Sequence, residues 1–146
     1  MAWGASLSER SRRDVEALAD AGLRAAERAL GAAEWLRPIP LALSFTGAVQ
    51  ELELDSTALP RRTPAALTSA AIYLLAQHAP PSRAVALVTA SRLTGRRHDA
   101  VEVWVEHRDG AALTVLREFT RRGGRARFGE PRAYLGSPIV WATRAD

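Results

Sequence analysis

The sequence predicts a single-domain α+β protein: a helix, a β-hairpin, a second helix and a three-stranded meander, giving an antiparallel sheet of about five strands packed with two helices. Three observations carry this expectation. Apolar residues recur at helical spacing in an N-terminal and a central stretch. Later stretches alternate apolar and polar residues with period two between glycine-bearing turns. Neither helix can bury its apolar stripe unless a sheet covers it. A chain of 146 residues, nearly half of them apolar, is the size of one domain and can build its own core.

The first helix is expected from Ser6 to about Ala33. Ser6-Leu7-Ser8-Glu9 offers a capping box, and Val15, Leu18, Ala19, Gly22, Ala26, Ala29, Leu30 and Ala33 recur at helical spacing. Its stripe is rich in small residues, which favours close approach to a sheet. Arg37-Pro38 ends the pattern. Leu41 to Phe45 and Val49 to Leu54 then alternate around Thr46-Gly47, as a hairpin does. Thr63-Pro64 supplies a capping hydroxyl and a proline at the first helical position for a second helix running to about Gln77, stopped by Pro80-Pro81. From Arg83 the chain is β-rich: Arg83 to Leu93, Ala100 to His107 and Ala111 to Phe119 form the meander, with Asp109-Gly110 as its clearest turn. Residues 132 to 142 add a further strand or a packed tail.

Composition removes several function classes. With no cysteine there is no disulfide framework, thiolate metal site or cysteine nucleophile, and a reducing cytoplasm is the expected setting. No apolar run approaches the roughly 20 residues of a membrane-spanning helix, so no membrane partner is expected. Every basic residue is arginine. Residues 1–91 carry nine arginines against nine acids and residues 92–146 eleven against seven, so the positive excess is C-terminal.

The stretches Pro40 to Val49, Ala84 to Val88 and Asp99-Ala-Val-Glu-Val-Trp-Val-Glu-His-Arg-Asp-Gly110 resemble a group of short, uncharacterised bacterial proteins. That resemblance spans roughly residues 40 to 135; it implies a strand and turn at 99–110 and carries no activity across. The element order also resembles Roadblock and profilin-like domains, whose members typically pair into dimers and serve as scaffolds; fold alone does not fix function.

The chemistry-bearing residues are few. His107-Arg108-Asp109 matches the kinase catalytic-loop triplet, but Thr114 stands where that loop needs asparagine, and the triplet reads instead as a hairpin turn. On a strand, His98, Glu102 and Glu106 share one face at about 13 Å spacing, too far apart to hold one metal, with Asp99 and His107 on the other. No metal and no cofactor is expected. If Val101, Val103 and Val105 face the core, Trp104 stands with Glu102 and Glu106 on the opposite face, and two alternatives stand: an exposed contact site, or a residue covered by Tyr134, Leu135, Ile139, Val140 and Trp141 folding back. Arg121, Arg122, Arg125, Arg127 and Phe128, around Gly123-Gly124, read as an exposed arginine turn.

The expected function is a non-catalytic protein-interaction or scaffold module. It self-associates as a homodimer and meets another protein through Trp104, Glu102, Glu106, Arg121, Arg122, Arg125, Arg127 and Phe128. One alternative is a small enzyme or ligand-binding domain between meander and helix, drawing on His98, Glu102, Glu106 or Arg117. A second, less favoured, is a nucleic-acid binder using the C-terminal arginines.

Overall fold

The computed structural model describes residues 8–32, 36–55, 57, 63–92 and 99–141. Helix α1 (Glu9–Ala32) starts at Ser8, whose hydroxyl accepts the Ser11 N–H at 3.1 Å and meets the Ser11 hydroxyl at 2.9 Å. The cap is therefore Ser8; Ser6, Leu7 and Ala33 lie outside the described residues. The helix buries Val15, Leu18, Ala19, Ala26 and Leu30. The small-residue stripe has the expected effect at Gly22, where a Cβ would lie 2.7 Å from Val103 Cγ1 and 3.2 Å from Val88 Cγ2. Only glycine lets the helix axis come this close.

Seven strands follow the antiparallel pattern: β1 (Ile39–Ser44), β2 (Val49–Glu51), β3 (Ser82–Arg92), β4 (Asp99–His107), β5 (Ala112–Arg122), β6 (Arg125–Phe128) and β7 (Arg132–Leu135), in the order β2-β1-β3-β4-β5-β6, with β7 also on β5. Between β2 and β3 runs α2 (Pro64–His78), begun by Thr63, whose hydroxyl accepts the Ala66 N–H at 3.2 Å. The α+β class and the two helices stand; the strand count of about five does not.

The surplus comes from residues 125–128, expected as part of a turn, and from residues 132–142, expected as a further strand or a packed tail, of which Arg132–Leu135 forms the strand. Gly123 and Gly124, at φ 60° and 79°, make a two-residue turn that folds Arg125–Phe128 back onto β5. The chain then continues along the same edge of β5, with the Gly129 N–H on the Glu118 carbonyl at 2.9 Å, and re-forms the ladder as β7 opposite Leu113 to Leu116. The β4–β5 turn is closed by Gly110 at φ 101°.

The two helices take opposite faces of the sheet. α1 lies over β1, β3 and β4 above a core in which Val101, Val103 and Val105 are fully buried. α2 lies over β1 and β3 above a smaller core containing Ala71, Leu75, Val85, Leu87, Trp104 and Val140. Among the described residues no helix is long and apolar enough to cross a membrane.

Candidate functional site

The alternation along β4 sets three different environments side by side. Odd-numbered valines feed the α1 core, as the sequence predicts, and even-numbered residues face the α2 side. Of the two alternatives for Trp104 the structure takes the second in part: Val140 and Trp141 fold back over it, while Tyr134, Leu135 and Ile139 stay exposed. The indole is 8% exposed, covered by α2 and by a strap of residues 136–141, and its Nε1–H donates to the Ser137 carbonyl at 3.1 Å. Glu106, expected on a charged outer face, is 0% exposed. Its carboxylate accepts the Val140 N–H at 2.7 Å, the Trp141 N–H at 3.2 Å and a further bond from the Ile139 N–H. Burial pushes this carboxyl above its usual range, and the three backbone donors only partly offset the cost of removing the charge from water. Trp104 and Glu106 therefore hold the strap and do not meet solvent.

On the opposite face, the end of β4 enters a polar network. His107 Nε2 lies 3.0 Å from Asp14 Oδ2, while Nδ1 takes the Asp109 N–H at 3.2 Å and stands 3.1 Å from Asp109 Oδ1. The Arg83 guanidinium meets Asp14 Oδ1 at 3.0 Å and the Phe45 carbonyl at 3.4 Å, and Arg108 stacks 4.7 Å above the Phe45 ring. Burial alone would raise the Asp109 carboxyl, but bonds from Ser11, the Ala111 N–H and His107 outweigh it and hold the group below its usual range. Serine, histidine and two aspartates are thus within one cluster, yet both ring nitrogens of His107 are engaged and Ser11 bonds to Ser8 and Asp109. This arrangement leaves no imidazole nitrogen to receive a serine proton. It fastens the start of α1 to β3 and to the β4–β5 turn. Among the described residues no group of three or more histidine, aspartate or glutamate side chains is placed to hold a metal.

The arginine set is divided between the two faces of the sheet. Arg121 turns to the α1 side, where it donates to the Leu30 carbonyl at 3.3 Å. Phe128 lies on that side as well, its ring 5.7 Å from Phe119 and 4.9 Å below the Arg117 guanidinium, which also pairs with Glu27. Arg125 and Arg127 point to the α2 side and are exposed; Arg122 pairs with Arg125 in the ladder. On the same side the register sets Thr89, Glu102, Leu116 and Arg132 in one row and Leu87, Trp104, Thr114 and Tyr134 in the next. Glu102 is half-buried, and Arg132 and Tyr134 are exposed.

The alternative site between meander and helix is not drawn together: Glu102 and Glu106 face α2, Arg117 faces α1, and His98 lies outside the described residues. A cavity of about 280 Å³ at the far end of the sheet is lined by Leu30, Leu36, Pro64, Thr68, Thr89 and Phe119, with Asp99 as its ionisable lining residue among those described. Sequence reasoning missed Asp14 and Ser11, although both recur on the buried stripe with Val15 and Leu18, an informative place for polar residues. No family model, no curated protein and no solved structure matches the chain.

Proposed function

We propose that this chain is a non-catalytic protein-interaction module that pairs with a second copy of itself through the side of the sheet that α2 leaves bare. One observation carries this reading: α2 lies over β1 and β3 and reaches β4 at Trp104, while Thr114, Leu116, Arg132, Tyr134 and Arg127 form a broad sheet surface with no described helix upon it. The surface carries both signs of charge, with Glu118 on β5 also facing this side. Glu102 is on the inner strand β4, and Arg125, Arg127 and Arg132 are on the outer strands. A two-fold axis near β5 sets Glu102 of one copy against the arginines of the other, the self-complementarity that a symmetric dimer requires. The free strand edge is less suited to pairing, because Pro131 and the same arginines blunt it.

Sedimentation over a rising concentration range tests this on the wild type, on Glu102→Arg, on Arg127→Glu with Arg132→Glu, and on all three changes together. A dimer is expected in the wild type, weakened at least tenfold by either reversal and restored by the combination. A wild type that stays monomeric overturns the proposal, and a dimer indifferent to all three changes places its interface elsewhere.

A further inference from the structure

The 136–141 strap is bound in the way a peptide ligand is bound. Trp104 Nε1–H addresses the Ser137 carbonyl, and the Glu106 carboxylate addresses the N–H groups of Ile139, Val140 and Trp141. Each of these polar contacts is to main chain. One strap side chain, Val140, is fully enclosed at 1% exposure in the cluster with Leu75, Val85, Leu87 and Trp104. Nothing in this recognition requires the strap to come from the same molecule as the groove. The connection to β7 is an arm: the Gly136 N–H rests on the Ala112 carbonyl at 3.0 Å, and Ser137 and Pro138 are exposed. Pro138 biases Ser137 away from helical backbone.

We propose that two copies exchange straps, each seating its residues 137–141 on Trp104 and Glu106 of the other. The inference rests on self-association through the bare side of the sheet, because strap and bare surface lie on that same side, and pairing there presents each strap to the partner's groove. An empty groove is costly, since it exposes to water the apolar surface that Val140 shares with Leu75, Val85, Leu87 and Trp104. A strap that leaves is therefore replaced. Exchange recreates every contact of the closed form, so the balance between closed monomer and exchanged dimer is left to concentration and to the arm.

The test uses two full-length chains, each defective in one half of the contact and carrying tags of different mass. Trp104→Phe with Glu106→Gln impairs the groove, and Val140→Asp impairs the strap. Mixed, they can form a heterodimer in which one native groove holds one native strap. Because each lesion weakens the closed and the exchanged forms alike, native mass spectrometry is expected to show each variant alone dimerising within a few fold of wild type, and the mixture favouring heterodimer over either homodimer at least tenfold, since only the heterodimer joins a native groove to a native strap. A mixture in which heterodimer forms only in the statistical proportion overturns strap exchange while leaving face pairing intact. A mixture that forms no heterodimer also overturns it. Val140→Ala repeats the strap arm should circular dichroism show that the aspartate variant has not folded. Face pairing itself is judged separately, by the charge reversals at Glu102, Arg127 and Arg132.

Discussion

Two carboxylates near the end of β4 are driven in opposite directions by their surroundings, and this fixes how each answers pH. Glu106 is raised above its usual 4.5 chiefly by burial, so its contribution to stability is full below that value and is lost as pH rises through the folded-state pKa. Asp109 is held below its usual 3.8, so its contribution is present above that value and is lost as pH falls through the folded-state pKa. Urea unfolding from pH 3 to 7 is expected to show the stability gap between wild type and Glu106→Gln moving against the wild type as pH rises above about 4.5. The gap between wild type and Asp109→Asn should instead close as pH falls below 3.8. At neutral pH Glu106→Gln is still expected to cost about 1–3 kcal/mol, because the new amide turns a donor toward strap N–H groups that need an acceptor. Parallel pH profiles for all three proteins would show that neither carboxyl carries the assigned linkage. The alternation of β4 put Glu106 on the right face, but its burial depends on a strap some thirty-five residues later, a contact with no local signature.

At the scale of elements, α1 depends on what it touches across the fold. Asp14 joins it to Arg83 on β3 and His107 on β4, all largely buried. Asp14→Ala is expected to cost about 3–5 kcal/mol, since it strands a buried guanidinium and leaves His107 Nε2 unpartnered. Asp14→Asn, which keeps one acceptor, should cost less; equal losses from the two would point to helix packing instead of the polar tie. Midway along, Gly22→Ala pits a helix-propensity gain of about 1 kcal/mol against an overpacking cost of about 1–3 kcal/mol at Val103. A net loss in denaturant midpoint is expected, relieved by Val103→Ala in the double variant. The small-residue stripe and the Thr63-Pro64 helix start were legible because both are local patterns with a single physical meaning. β6 was not, since Gly123-Gly124 with flanking arginines carries turn chemistry that also serves a hairpin, and the short alternation Arg125-Ala126-Arg127-Phe128 was outweighed by its charge.

The whole molecule has more sheet than its helices can cover. Six strands abreast, at about 4.8 Å spacing, span roughly 24 Å, whereas one helix is about 10 Å across. With one described helix on each face, both faces keep strands that the described helices do not cover. Which strands these are follows from connectivity. α2 leads from β2 to β3, which inserts beside β1, so the helix is held over the β1–β3 seam, while β4 to β7 grow away from it as successive antiparallel strands. The strap closes the gap over β4, and among the described residues no helix lies over β5 to β7 on that side. The helix and strand order was readable from the sequence, but this lateral placement was not, because it depends on where β3 inserts. The consequence is a molecule with two unequal cores. Hydrogen exchange should separate them: the β4 amides beneath α1 are expected to open only with global unfolding, and the Val140 and Trp141 amides, held by a carboxylate at the end of an arm, to open earlier. Protection of the strap amides that rises with protein concentration, while that of β4 does not, would tie the strap to association. Protection equal to that of β4 at every concentration would make the strap a fixed part of the core and remove the basis for its exchange.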